Sequence, residues 1–354
     1  MNAVLPHAAL PGRAGAYLRL GSLAPLLDIM AASRLSVERV LIRSGLPADL
    51  FRQPGDTPVP LADYFRLCEQ MALQGDDESC HISLRPLMVG ASELVQARLS
   101  NCRTLSQMLE VLANSYNVIH GDRYNRVVRR HHRTVYEIDD TDFPYALGHD
   151  EPFVLLSLEC LLVYVHALIL SAAPDAQGVT LQRITTRGQD RASGNHLDFW
   201  QAPVLRGAPL FSLVYAGDLD RIAVAPEQSP VITGRTIYGG VADMLDRLQP
   251  PAPTERLADR VERLILQGHD DQMEVGRVLG LSVASLRRVL QDEGASFRDL
   301  RATALNRKAQ ASLQDGASIA DVADMLGFSD GRSFARAFRQ WNGMSPSDYL
   351  ATHS

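Results

Sequence analysis

The chain has 354 residues, 46% hydrophobic and 21% charged, enough for two or three domains that each bury a core. A net charge of −6 excludes a protein that coats nucleic acid through bulk charge, leaving local basic patches as the only electrostatic route to it. Four widely spaced cysteines, Cys68, Cys80, Cys102 and Cys160, form no CxxC or Cys/His pattern, so they read as buried reduced thiols, with neither metal nor cofactor implied.

Residues 1–20, rich in Ala, Gly and Pro, read as a flexible tail without the basic and apolar regions of a signal peptide. Ser22 can cap a helix through about Ala32, and Ser36 another through Ser44, closed by Gly45. Leu61, Tyr64, Phe65, Leu67, Cys68 and Met71 mark a helix over 60–74, and Leu105, Met108, Leu109, Leu112 and Tyr116 mark one over 104–118. Residues 125–130 and 134–139 form an expected hairpin around a short basic turn.

The stretch 152–173 is apolar and long enough to span a bilayer, but Glu159 and His166 interrupt it and no Lys or Arg flanks it closely. A helix buried inside a domain is the better reading. Strands follow at 179–185 and 210–215, between proline-marked turns, and a helix at 232–248. An α+β domain over 21–248 results. The segment 249–254, with three prolines, reads as an interdomain linker.

Everything beyond it is helical, with segments at 255–267, 272–279, 283–293, 296–314, 319–326, 331–342 and 346–352. Two stretches of this all-α domain repeat one theme. A small residue precedes a glycine by four (Gly276 and Gly280; Ala323 and Gly327), and a second helix follows that reads apolar-x-Arg-x-apolar. Past the turn, Leu286, Arg288 and Leu290 correspond to Phe334, Arg336 and Phe338, 48 residues on. The apolar pair holds each second helix to its domain while the arginine between them faces away. This is the grammar of two helix-turn-helix motifs joined by the helix 296–314. Ser282 and Asp330 are the expected N-caps, and Ser345 caps the last helix.

Over 255–350 the pattern resembles the AraC/XylS family of bacterial transcription regulators. The resemblance rests on GLS-x3-LRRVL at 280–290, IADVADMLGF at 319–328, SDGRSFARAFRQWNGMSP at 329–346, and Tyr349. Leu305 and Leu350 stand where the family commonly has arginines; Arg301, Arg307 and Lys308 lie nearby as replacements. Residues 194–224 resemble the effector domain of the branch that includes regulators of ornithine use, which implies effector sensing by a domain that is not a cupin barrel.

The resemblance implies sequence-specific binding to double-stranded DNA in two successive major grooves, activation through RNA polymerase, and a cytoplasmic, nucleoid-associated protein without enzymatic activity or membrane partner. It implies a small-molecule effector, amino-acid-like by analogy with the branch, and a homodimer through the helix 232–248. The expected DNA-binding residues are Ala284, Ser285, Arg287, Arg288 and Gln291 on the first reading helix, and Gly331, Arg332, Ser333, Arg336 and Gln340 on the second. Arg288 and Arg336 are the expected base contacts, and Arg339, with the amides near Ser345, the expected phosphate contacts. Aromatic and charged side chains such as Tyr116, His120, Tyr124, Arg126, His149, Trp200 and Tyr215 could line an effector pocket, but each reads more simply as core or surface. The alternatives are an architectural DNA-binding protein without effector, or a DNA-binding domain fused to an enzyme; no nucleophile elbow, P-loop or GxGxxG supports the latter.

Overall fold

The computed structural model describes residues 15–353 except 131–132, 174–177, 230, 234–235, 249–255, 267, 270, 280 and 315. The expected linker at 249–254, most of the expected tail and the first turn glycine, Gly280, thus lie outside the described residues. Two units separate: the first is Met1–Val37 with Phe51–Pro251, the second Glu38–Leu50 with Ala252–Ser354.

The first unit is mixed α and β. Its end of the expected tail is folded: β1 (Tyr17–Arg19) pairs antiparallel with β2 (Pro58–Pro60), because Leu18 and Val59 alternate inward and are fully buried or nearly so. A 3-10 turn, Leu20–Leu23, precedes α1 (Pro25–Ala32), whose first residue is proline; Ser22 therefore sits inside the turn and does not cap the helix. Helix α3 (Leu61–Gly75) follows β2 directly, and α5 (Leu105–His120) is capped by Thr104, which accepts from the Gln107 amide at 3.3 Å.

A five-stranded sheet forms the centre, in the order β3 (Asn125–Arg130), β4 (Arg133–Ile138), β7 (Phe211–Ala216), β5 (Leu181–Thr185), β6 (Val204–Leu205). All pairings are antiparallel except β5–β6. Among the described residues its two outer strands do not meet, so the sheet is open and no barrel closes. Thr134, Tyr136 and Ile138 face inward along β4, and β7 is buried from Phe211 to Tyr215.

Helix α6 (Pro152–Ala172) packs on β7, with 83% of its most apolar window buried inside the protein. The two polar residues that interrupt its apolar run are both paired. His166 Nδ1 meets the Tyr215 hydroxyl at 2.9 Å, and Glu159 meets His196 Nε2 at 2.7 Å, the Thr186 hydroxyl at 2.7 Å and Arg206 at 3.3 Å. Such pairing is what makes polar burial tolerable. Trp200 packs edge-on against His166, 4.6 Å between centroids, and against Phe199 at 4.7 Å.

Helix α7 (Ile237–Leu248) begins five residues later than expected and buries Ile237, Val241, Ala242 and Leu245. It packs on α3, where the buried Arg66 guanidinium is held by Asp63 at 2.8 Å and by Asp246. Helix α4 (Ala91–Leu99) was not legible in sequence: only Val95, Gln96 and Leu99 are buried, and Leu94 is 66% exposed, so its stripe is too narrow to announce itself.

The second unit holds α8 (Leu257–Leu266), α9 (Gln272–Leu279), α10 (Val283–Asp292), α11 (Phe297–Gln314), α12 (Ile319–Met325), α13 (Gly331–Asn342) and α14 (Pro346–His353), all within one or two residues of expectation. Helix α2 (Val37–Arg43), which sequence alone places with the N-terminal domain, groups with this unit from Glu38 on. After α2, Gly45 takes φ +74°, and Leu266 lies 3.5 Å from where its Cβ would be.

Candidate functional site

The two helix-turn-helix motifs of the second unit are built by the same bonds. The Leu281 amide donates to the Gly276 carbonyl at 2.8 Å, and the Phe328 amide to the Ala323 carbonyl at 2.9 Å. In the first motif the small residue is obligatory, since a Cβ on Gly276 would lie 2.9 Å from the Leu281 carbonyl oxygen. In the second, Gly327 adopts φ +73°, the left-handed conformation that other residues resist. Each second helix then starts at a side-chain cap. Ser282 Oγ accepts from the Ser285 amide at 3.1 Å, and Asp330 from the Ser333 amide at 2.6 Å. The Ser333 amide and hydroxyl hold the Asp330 carboxyl below the usual range.

Leu286, Leu290, Phe334 and Phe338 are fully buried or nearly so, which fixes the outward face of both helices. On α10, Ala284, Arg287, Arg288 and Gln291 are exposed and Ser285 half-buried; on α13, Arg332, Arg336, Arg339 and Gln340 are exposed and Gly331 and Ser333 half-buried. Among the described residues, Arg287, Arg288, Arg332, Arg336 and Arg339 form no ion pair. Arg336 leans along its own helix to the Ser333 hydroxyl at 3.4 Å. Five unpaired guanidiniums on two helices are the local basic patches that the net charge required.

A single helix holds both heads. Ala304, Phe297 and Leu300 of α11 belong to the first core, with Val261, Ile265, Val275, Leu286 and Leu290. Leu305, Ala309 and Leu313 belong to the second, with Val322, Phe334, Phe338 and Tyr349. Its 18 residues span about 27 Å. The first head is pinned by Glu293, at the end of α10, whose carboxylate accepts from the Leu257 and Ala258 amides at 2.7 and 2.8 Å and so caps α8. In the second, Asn342 at the end of α13 exchanges hydrogen bonds with Asn306 of α11 at 2.6 and 3.1 Å and accepts from Gln310 at 2.7 Å. The Tyr349 hydroxyl accepts from Gln314 at 2.9 Å, its ring lies against Phe338, and Trp341 packs on Phe328.

The departures from the family pattern acquire a physical account. Leu305 is buried in the second core and Leu350 packs on it, so both serve packing. Two of the three neighbouring cations are engaged within the second unit. Arg307 is paired with Glu262 at 2.7 Å and Lys308 donates to the Ile265 carbonyl, both tying α11 to α8. The Ser345 amide, expected near phosphate, donates to Asp348 at 3.3 Å within the cap of α14.

A second candidate site lies wholly inside the first unit: a cavity of about 170 Å³ walled by α3, α5, α6, α7, β4 and the loop after α3. Tyr116, His120 and Tyr124 line it. Arg126, His149, Trp200 and Tyr215, considered with them, do not. Arg126 pairs with Glu137 on the sheet surface, His149 lies beside Asp150, and Trp200 and Tyr215 surround His166 elsewhere. Sequence reasoning missed Tyr64, Tyr136, Tyr164 and Tyr238. Burial pushes the His120 imidazole down to about 4. Cys68, Cys80 and Cys160 are also on the wall, as free buried thiols; burial pushes Cys160 up, and a hydrogen bond to Cys68, followed by burial, pushes Cys80 up.

Comparison with known proteins covers both units. A family model described as the arabinose-binding domain of AraC transcription regulator, N-term, matches residues 35–221, and one described as a helix-turn-helix domain matches 275–352. The ornithine utilization regulator of Pseudomonas aeruginosa is 36% identical over 99 residues, which is 27% of this chain and 29% of that protein. The transcriptional regulator RipA of Corynebacterium glutamicum is 34% identical over 104 residues, 28% of this chain and 31% of that protein. The chain thus spans less than a third of the length of these relatives. A crystal structure of the transcriptional regulator CdpR from Pseudomonas aeruginosa aligns over 94% of this chain and 98% of that one, at 19% identity and a TM-score of 0.29.

Proposed function

This chain belongs to the AraC family of transcription regulators, and from that premise we propose that it reads a promoter with α10 and α13 in two successive major grooves and activates transcription by recruiting RNA polymerase. The observation that carries the reading is the set of five exposed, unpaired arginines at matching faces of two helices fixed to one shared helix. Successive grooves on one face of DNA lie about 34 Å apart, a separation that a helix of about 27 Å flanked by two packed heads can bridge.

Arg288 and Arg336, each between two buried apolar residues, reach base edges; Arg339, in the last turn of α13, meets phosphate, while Arg287 and Arg332 widen the basic face. Ala284, Ser285, Gln291, Gly331, Ser333 and Gln340 complete the contact surface. The protein acts in the cytoplasm at the nucleoid, without catalysis. Its first unit binds a small-molecule effector in the aromatic cavity, and the effector favours one presentation of the reading heads by binding it more tightly. An architectural protein would leave that cavity without a role. As a homodimer it would not use the apolar stripe of α7, which is spent inside its own unit; the polar side of that helix is what remains for a partner.

The test begins with genome-wide mapping of occupied sites, which supplies the operator. Arg336→Ala then weakens operator binding by about 1–3 kcal/mol, roughly 5- to 150-fold, and relaxes base preference at one position. Equal weakening on operator and random duplex would reassign Arg336 to phosphate.

A further inference from the structure

The wall of the cavity specifies the charge of what it holds, an inference that rests on the reading of the first unit as an effector domain. Among the described residues, no lysine or arginine lines it. Its two carboxylates are already engaged by the protein. Glu78 accepts from the Gly90 and Ser92 amides at 2.8 Å each and from the Ser92 hydroxyl at 2.5 Å. Asp140 accepts from Arg187 at 3.1 and 2.8 Å and from the Tyr145 hydroxyl at 3.0 Å. His120, the one basic group of the wall among the described residues, is kept neutral by burial, which pushes its imidazole down to about 4.

What faces the space is aromatic: Tyr64, Tyr116, Tyr136, Tyr164 and Tyr238, with Phe143 and Phe65. Most of the hydroxyls are turned to polar partners. Tyr136 donates to Asn125 at 3.0 Å and Tyr238 to the Glu78 carbonyl at 2.7 Å, whereas Tyr116 and Tyr164 meet each other at 2.7 Å, with Ser92 a further hydrogen-bond partner of the Tyr116 hydroxyl. The Tyr164 hydroxyl, whose partner is Tyr116, retains hydrogen-bonding capacity that an inserted polar atom can use.

Burying an ionised carboxylate here without a cationic partner costs several kcal/mol, more than one hydrogen bond returns, and an ammonium would compete for Glu78 with the three donors that already hold it. The volume of about 170 Å³ is close to the roughly 150 Å³ of an engineered cavity that admits benzene. We propose that the effector is an uncharged, single-ring molecule carrying one hydroxyl or carbonyl, which stacks among the tyrosines and inserts its polar atom at the Tyr116–Tyr164 pair. This sets aside the amino-acid-like effector suggested by sequence resemblance, because the carboxylate of a zwitterion needs a cationic partner and, among the described residues, the wall offers none.

The full-length protein is titrated with compounds that share a phenol ring and differ in charge: p-cresol, tyramine, 4-hydroxyphenylacetate and L-tyrosine, with L-ornithine added. Calorimetry and thermal shift are expected to detect p-cresol and to detect each charged compound at least about tenfold more weakly. Tyr164→Phe and Tyr116→Phe, which keep the ring and the fold, are expected to weaken p-cresol about tenfold, the loss of one hydrogen bond. Tight binding of a charged compound that is lost in Tyr164→Phe would overturn the charge inference and leave the effector reading standing. Absence of binding by every compound would overturn the proposed ligand class. Binding of p-cresol with the expected variant effects, but with no change in operator occupancy, would uphold the ligand class and overturn the effector reading.

Discussion

Replacing Gly276 by alanine sets two effects of opposite sign against each other. Inside a helix the change is worth up to about 1 kcal/mol of stabilisation through backbone entropy. Against it stands the Leu281 carbonyl oxygen, 2.9 Å from the new Cβ, closer than ordinary contact, so one of them has to move by a few tenths of an ångström. That carbonyl cannot retreat alone: the amide of the same residue is bonded to Gly276, and the next residue, Ser282, caps α10. Overpacking of this kind costs about 1–3 kcal/mol, so the net effect is destabilising by up to about 2 kcal/mol. The displacement is also transmitted to the start of the first reading helix.

The mirror change, Ala323→Gly, loses about 1 kcal/mol of helix propensity and part of a buried methyl but leaves the turn as it is. Urea unfolding of the full-length protein, followed in the transition of the second unit, and anisotropy of a labelled operator duplex together separate the two. Both variants are expected to lose stability, and only Gly276→Ala to lose operator affinity beyond that loss. A raised urea midpoint for Gly276→Ala with unchanged operator affinity would refute the reasoning.

Glu159→Ala removes one centre of a buried network and takes from His196, Arg206 and the Thr186 hydroxyl the carboxylate each of them meets, so chemical denaturation should show a loss of about 3–5 kcal/mol in the first unit. Tyr349→Phe removes the bond from Gln314 and should cost about 0.5–1.5 kcal/mol, visible in the unfolding of the second unit. His120 has its folded pKa depressed to about 4 from an ordinary 6.5, so its contribution is fully present above pH 6.5 and is lost as pH falls towards 4. At pH 5 the loss is about 2 kcal/mol, and His120→Gln should flatten the melting temperature of the first unit over this window.

The reading heads were legible because their chemistry is local. Leu286, Arg288 and Leu290 lie within five residues, and a spacing of two and four along a helix already says which side chain faces out. The repeat then marked Arg336 independently. The cavity was not legible because it is assembled from five distant segments: Tyr64, Tyr116, Tyr136, Tyr164 and Tyr238 each obey the periodicity of a core residue in its own element, and nothing in one element reports that the others converge. Periodicity also concealed what Arg307 and Lys308 do, since their partners Glu262 and Ile265 sit on a helix some forty residues earlier. Helix α4 escaped for the opposite reason, burying too little to show a stripe.

The placement of the two tryptophans gives the molecule a built-in optical label for each half. Trp200 lies beside His166 in the first unit and Trp341 beside Phe328 in the second, and the chain has no others. Trp200→Phe leaves emission only from the reading domain, and Trp341→Phe only from the domain that holds the cavity. With no dye attached, the two single-tryptophan proteins can therefore report separately which half responds first when a small molecule or an operator duplex is added.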